Sequence, residues 1–418
     1  MNRYLMALGL LLSTQAGAIE WKKAFSYRAN AEAYTTRYDL NNHSYFNPGN
    51  TIGELPDYEN TFLLRGYILG EFDGFTASLS PNIKYTKSKI NSKYVYDDEI
   101  YLQEYNVSYL LGSWKFSVYR ELDFWGPSLF TSPSNPFYAT TDQSNPFVEE
   151  PALDFIRLDG YHGDSFSSSL IYSYNKGRTE NLIHPFEKTL SFKVDYVSYS
   201  YYAGAIVSRQ DKTNLFGVFG QWTVSDSVML YSDIGVKDRS TAYIPVESAN
   251  ALGYDFEVSS SDRHFYTDGV IGLSYSTMGG STYNLEYRYN QEGYNKSQLD
   301  TYYDLAKAAG GSLGSSDLGG MSQYLLYIAS DPGMRTIGRN YIYAQYFKRD
   351  VIPDLSVNFI LAHDIDTQSS ELTSVVNYYL NDNVGVSGNF ILTHGDDKRS
   401  EFTRYIENVL YLGVKYYF

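Results

Sequence analysis

The sequence predicts an all-β protein: a single transmembrane antiparallel β-barrel of about 18 strands, with short turns on one side and long loops on the other. Three observations predict it. Apolar and polar residues alternate at period two along most of the 418 residues. The breaks between these runs are short and long by turns. The chain ends Val409-Leu410-Tyr411-Leu412-Gly413-Val414-Lys415-Tyr416-Tyr417-Phe418, with Leu410, Leu412, Val414, Tyr416 and Phe418 on one face. A soluble domain rarely leaves such a strand bare at its terminus, because a free apolar edge invites aggregation.

The other terminus carries an export pattern. Met1-Asn2-Arg3 is a short positive start, Leu5 to Leu12 an apolar core and Ala16-Gly17-Ala18 a small-residue cleavage site. That is the form of a secretory signal peptide, too short to span a bilayer as a helix. Residues 1–18 are expected to be this peptide and residues 19–418 one barrel domain. No Cys follows the apolar core, which excludes lipid attachment there.

The first strand sets the pattern, with Phe25, Tyr27, Ala29, Ala31 and Ala33 on one face and Ser26, Arg28, Asn30 and Glu32 on the other. Opposite faces of a barrel strand meet lipid and lumen. Ser165 to Tyr174 repeats it, with Phe166, Leu170, Tyr172 and Tyr174 outward. So does Thr282 to Asn290, with Tyr283, Leu285, Tyr287 and Tyr289 against Asn284, Glu286, Arg288 and Asn290. Tight turns are expected at Asp73-Gly74, Gly112-Ser113, Gly163-Asp164, Ser225-Asp226, Pro353-Asp354 and Asn381-Asp382. Long polar segments fall near 39–60, 86–98, 122–153, 176–188, 238–262, 291–338 and 395–405. The run 190–208 is too long for one strand and is split near Ser198 to Tyr201, which keeps the strand number even. Within the longest loop, Gln298 to Gly310 has the spacing for one or two helical turns. Nothing has the size of a plug or a second domain.

Composition bounds the class. There are 44 Tyr, 23 Phe and 4 Trp, yet the mean hydropathy is −0.36 and no apolar run reaches helix-spanning length. A helical membrane protein is excluded. A secreted lectin or enzyme would share the Tyr and Gly content but would not need the terminal strand. The net charge of −15 argues against a nucleic-acid partner. Tyr34, Tyr38, Tyr109, Tyr174, Tyr289 and Tyr416, near strand ends, are read as interfacial girdles.

The third long loop is the most unusual stretch. From Leu122 to Asp154 it holds five acids (Asp123, Asp142, Glu149, Glu150, Asp154), five prolines and no Lys or Arg. Proline restricts the backbone, so the loop is stiffer than its length suggests and is placed to fold into the pore. Alternation points Arg28, Arg65, Lys115, Arg157, Lys193 and Arg288 inward, with Arg120 and Glu121 at the root of the loop. Acids on an infolded loop opposite wall bases set up a field across a water-filled constriction, which selects among charged solutes. Tyr67, Tyr119 and Tyr161, inward by alternation, and Trp125 in the loop are candidates for stacking on sugar rings. The six His are scattered, without a His-Glu-x-x-His or metal-ligand spacing. No catalytic group, metal or cofactor is expected.

The terminal strand ending at Phe418 resembles the export signal of bacterial outer-membrane β-barrels, and the whole chain resembles their porin-like members. That resemblance implies the outer membrane of a Gram-negative cell, reached through the periplasm. It further implies recognition of the last strand by the barrel-assembly machinery and contact with outer-membrane lipid and lipopolysaccharide. The implied function is a channel for passive diffusion of small hydrophilic solutes. Tyr119-Arg120-Glu121-Leu122-Asp123-Phe124-Trp125-Gly126-Pro127, followed by Ser132-Pro133-Ser134-Asn135-Pro136-Phe137, is also similar to a loop of the capsule-assembly barrels. This second likeness implies an alternative: an occluded barrel that binds or helps assemble or export a surface glycan.

Overall fold

A computed structural model describes residues 25–138, 152–175, 177–178, 188–258, 264–334 and 336–418. The expected signal peptide lies outside the described residues. From the N-terminus the strands are β1 (Phe25–Leu40), β2 (Tyr58–Phe72), β3 (Phe75–Ile90), β4 (Lys93–Leu111), β5 (Trp114–Glu121) and β6 (Leu153–His162). There follow β7 (Phe166–Asn175), β8 (Thr189–Val197), β9 (Tyr201–Gln210), β10 (Thr213–Ser225) and β11 (Val228–Lys237). A small hairpin, β12 (Tyr243–Glu247) and β13 (Tyr254–Val258), stands apart. The series ends with β14 (Tyr266–Ser276), β15 (Ser281–Asn290), β16 (Asn340–Lys348), β17 (Leu355–Asp364), β18 (Ser369–Asn381), β19 (Val384–His394) and β20 (Ile406–Tyr417).

Without β12 and β13, these strands form one 18-stranded sheet in which each pairs antiparallel with its chain neighbours. It closes on itself. β1 pairs with β20 from Asn30 opposite Tyr417 up to Leu40 opposite Ile406. Closure leaves no long edge to aggregate, which is why the terminal apolar strand is tolerated.

The pleat explains the alternation. On β15, Tyr283, Leu285, Tyr287 and Tyr289 are exposed on the outside while Asn284, Glu286, Arg288 and Asn290 are buried inside. On β20 the exposed set is Leu410, Leu412, Val414 and Tyr416, continued by Phe418, whereas Val409 and Tyr411 are buried. Tyr34 and Tyr38 correct the girdle assignment. They lie on the lumen side with Ile391, Val409 and Tyr411, because Ala31 and Ala33 already occupy the lipid face.

The turns fall where the turn residues stand, and the split of 190–208 falls at Ser198–Ser200. Asp73 and Gly74 both have positive φ (42° and 79°), the backbone that a two-residue hairpin of this twist requires. The segment 86–98 is not a loop. β3 and β4 run on through it as a ribbon, from Phe75 opposite Tyr109 to Ile90 opposite Lys93, reversing at Asn91-Ser92 (φ 47° and 66°). It reads as polar because a ribbon that outgrows the barrel has water on both faces.

The outer end is more built than its sequence suggests. Helix α1 (Lys296–Ser312) extends beyond the expected one or two turns, and α2 (Gly319–Ser330) follows it. Asn295 caps α1, accepting from Gln298 N while the Gln298 side chain takes the Asn295 N–H. Four connections meet in one apolar cluster. It joins Phe46 from β1–β2, Leu252 from the β12–β13 hairpin, and Tyr302, Leu305, Leu325 and Leu326 from the helices; Tyr405 from β19–β20 packs on its side. Arg404 is half-buried in this cap, donating to the Tyr302 hydroxyl and the Ala329 carbonyl and lying over Phe46 and Tyr405.

Candidate functional site: the lumen and its infolded loop

The connection after β5 turns inward. At its root Asp123 accepts from the Tyr119 hydroxyl (2.7 Å) and from Arg157 Nη1 (3.0 Å), while Arg157 Nε donates to Asp159 (2.7 Å). Asn135 fixes the Asn-Pro-Phe step: its side-chain oxygen accepts from Phe137 N and Tyr138 N, and its amide donates to the Asp123 carbonyl. A short polar side chain that replaces backbone bonds in this way stabilises an irregular turn. The aromatic residues fill the space beneath. Trp125 stands edge-on to Phe137, Phe137 edge-on to Phe155, and Tyr119 stacks on Phe155 at 5.1 Å.

The loop then crosses to the opposite wall and back. Leu129 N donates to Glu286 Oε1 (2.6 Å), which also accepts from the Tyr231 hydroxyl (2.9 Å). Phe130 stacks on Tyr343 of β16 at 5.1 Å and 17°. β16 is the ninth strand around from β5 in a barrel of 18, so the loop reaches the far side. Returning, Ser132 Oγ and Ser134 N donate to the two oxygens of buried Asp233 (3.2 and 2.8 Å), and Gln210 donates to the Pro136 carbonyl (2.6 Å). Glycines on the wall make the close approach possible. A Cβ on Gly235 would lie 2.1 Å from the Pro133 oxygen, and one on Gly217 would lie 2.6 Å from Ser134 Cβ.

This packing divides the anticipated lining residues. Arg28 remains open, its guanidinium 4.5 Å from the Tyr67 ring centroid. Arg65 is partly open and donates to Glu32 (2.9 Å), and Lys415 also bridges Glu32 (2.5 Å). Lys115 is part-exposed and in register with Asp159; Glu121 accepts from Asn106. Tyr161 is half exposed on the inner face. Arg157 and Asp123 are partly accessible as a pair.

Other members are not open. Lys193 is sealed under Trp125 and paired with Asp195 (2.7 Å). Arg288 is fully buried, held in a two-pronged pair by Asp268 (2.9 and 2.8 Å). Trp125 and Tyr119 are buried by the loop and present no free ring to a sugar.

Arg120 points the other way. It shares the outward face with Trp114 and Phe116 and forms a two-pronged pair with Asp154 (2.6 and 2.9 Å) beside Tyr105 and Tyr174. Lys115 and Arg120 differ by an odd number, so one unbroken strand cannot aim both inward. Asp154 thus faces outward with it. Asp142, Glu149 and Glu150 lie outside the described residues. The accessible positions of the described loop are Leu122, Asp123, Phe124, Gly126, Leu129 and Phe130, a mainly apolar surface with one paired acid.

Alternation places Glu32 inward without naming its partner, and the tasks of Lys415, Asp233 and Glu286 stand in no sequence motif. Alternation alone shows the facing of Lys415. The pairing of Asp233 and Glu286 with a loop about a hundred or more residues distant leaves no local signal.

No protein-family model matches the sequence, and no curated protein is similar to it at a significant level. Solved structures are similar in shape. OccK11 (OpdR) of Pseudomonas aeruginosa matches over 94% of this chain and 96% of its own, at 12% identity and a TM-score of 0.55. The Pseudomonas aeruginosa OpdL structure matches over 94% and 98%, at 10% identity and 0.54. OccK7 (OpdD) of the same organism matches over 94% and 98%, at 11% and 0.52. The fold is that of a porin-like outer-membrane barrel. At such identities the likeness is one of architecture, and the lumen chemistry must be read from this chain's own residues.

Proposed function

We propose that the protein is a porin-like channel in the outer membrane of a Gram-negative bacterium, passing small hydrophilic solutes by diffusion. The observation that carries this reading is the loop tied to the far wall through Asp233 and Glu286. The described part of the loop packs along β6–β11 and reaches β15 and β16, and on this reading the passage runs on the remaining side, beside β17–β20 and β1–β4. There the wall presents Arg28, Arg65 and Lys415 near Glu32, with Glu59 on the same inner face of β2. Opposed charges on a partly desolvated wall act on charged or dipolar solutes, within a Debye length of about 8 Å at physiological salt. The site residues offered for this role are Arg28, Arg65, Lys115, Lys415, Glu32, Arg157 and Asp123, with Tyr67 and Tyr161 as the accessible inward rings.

The same reading includes export through the periplasm and recognition of the strand ending at Phe418 by the barrel-assembly machinery. Planar-bilayer recording tests it: steady conductance steps are expected. The cap built from four outer connections favours the competing reading of an occluded barrel that holds a surface glycan. A silent barrel that retains glycan through purification would replace the channel by that alternative.

A further inference from the structure

We propose that the inner wall from β15 to β19 is a solute-binding wall of the channel and that it takes a neutral sugar. The inference rests on the channel reading and goes beyond it by naming the class of solute and the groups that hold it.

Neighbouring strands bring uncharged hydrogen-bonding side chains to one level. Asn284 of β15 is in register with Gln345 of β16, and Asn377 of β18 lies between Ser356 of β17 and Ser387 of β19. Asn358, two residues along β17 from Ser356, is in register with Phe347. At about 4.8 Å per strand the row runs about 19 Å around the wall. The inner charges of these strands, Glu286, Arg288, Asp364 and Glu371, all stand nearer the outer end. On β20 the nearest inner charge at this level is Lys415, in register with Gly385 and already bridged to Glu32.

The amides are ordered among themselves. Asn284 Nδ2 donates to Gln345 Oε1 (2.8 Å), and Gln345 Nε2 donates to Asn358 Oδ1 (2.9 Å). Asn377 Oδ1 accepts from Ser387 Oγ (2.6 Å). These bonds fix which way each amide faces. Among the described residues nothing accepts from Asn358 Nδ2 or Asn377 Nδ2, so both groups are held with their donors open. Gln345, Asn358 and Asn377 are only half-buried, so the row meets the lumen.

The row lies just below the infolded loop. Glu286 and Tyr343, which receive the Leu129 amide and the Phe130 ring, stand two residues outward of Asn284 and Gln345, about 7 Å. A solute that passes the loop therefore meets the amides next. Beyond them, toward the short turns, the inner face carries the rings of half-buried Phe347 and exposed Tyr379.

This chemistry selects the solute. Sugar hydroxyls both donate and accept, as amides do, and the C–H face of a sugar packs on an aromatic ring. A carboxylate solute would give up water for a wall without a counter-charge, at a high desolvation cost. An apolar solute would strand the open donors of Asn358 and Asn377.

Uptake of labelled glucose by proteoliposomes of the full chain tests this, with gluconate as an anion of similar size. Glucose uptake should saturate and should exceed gluconate uptake at equal low concentration. In an Asn358→Leu/Asn377→Leu variant the half-saturating glucose concentration should rise about thirtyfold, as the loss of two net hydrogen bonds implies. The ratio of glucose to gluconate uptake should fall with it. Heat-modifiable migration reports folding. Should the leucine pair fail to fold, Asn358→Ser/Asn377→Ser carries the same comparison, because the shorter hydroxyl also withdraws the amide donors. Unsaturable glucose uptake, gluconate entering as readily, or an unchanged half-saturation in the variant overturns the sugar wall, while steady ion conductance leaves the channel reading standing. A parent chain with neither conductance nor uptake overturns both.

Discussion

Removing the two carboxylates that hold the infolded loop should release it into the passage. Asp233 accepts the Ser134 amide and the Ser132 hydroxyl, and Glu286 accepts the Leu129 amide and the Tyr231 hydroxyl. A buried donor deprived of its acceptor costs about 1–3 kcal/mol. Ser132 keeps an alternative acceptor in the Trp125 carbonyl, so Asp233→Ala loses chiefly the Ser134 bond, about 2 kcal/mol. Glu286→Ala strands two donors and loses about 2–4 kcal/mol. Together they weaken docking by about 4–6 kcal/mol, roughly a thousandfold or more in the docked-to-free ratio. Ties that remain include the Gln210 bond to Pro136 and the Phe130–Tyr343 stack. Single-channel recording of the double variant should show a larger and noisier conductance. Chymotrypsin should nick the folded protein at Phe137, which the parent protects by packing. A heat-modifiable double variant with unchanged conductance, noise and protease resistance would refute the assignment of these carboxylates as the latch.

Four further outcomes follow from the same contacts. Gly235→Ala places a Cβ 2.1 Å from the Pro133 oxygen, so it should displace the loop and raise conductance while both carboxylates stay intact. Arg157→Gln uncovers Asp123 and Asp159 and should shift reversal potentials toward cations, an effect that fades at high salt as the charges are screened. Leu305→Ala, at a fully buried position of the cap, should cost about 2–5 kcal/mol there; hydrogen exchange should quicken in α1 and α2 with barrel strands unaffected. Burial raises the Asp331 carboxyl above its ordinary range, so its charged form weakens the cap above that range and the penalty vanishes as pH falls. Asp331→Asn should therefore slow exchange in the cap at neutral pH, and the two proteins should converge in acid.

The barrel was legible because its determinants are local. Period-two alternation on β1, β7, β15 and β20 decides which side chains meet lipid, and residues such as Asp73-Gly74 have the backbone freedom to reverse the chain. The terminal strand announced a closed sheet because only closure covers its edge. Local reading failed where polarity had another cause. The ribbon at 86–98 is polar on both faces because it leaves the barrel, and the helices within 291–338 bury their apolar side only against other loops.

The lumen divides along the same line. Alternation by itself set Arg28, Arg65, Lys115, Arg157, Lys193 and Arg288 on the inner face, and the same rule, applied strictly, sets Arg120 outside. Which of those bases still meets water was decided by the loop. Its path over the β6–β11 half seals Lys193 and Trp125, while Arg288 is closed off against Asp268 and Thr336. It leaves Arg28, Arg65 and Lys415 accessible on the other side. The sequence by itself determined the faces, because a strand's pleat is a property of adjacent residues. Only the tertiary structure decided which inner side chains are covered, because Asp233 and Glu286 meet Ser134 and Leu129 across the barrel, and burial is set by what arrives from far along the chain.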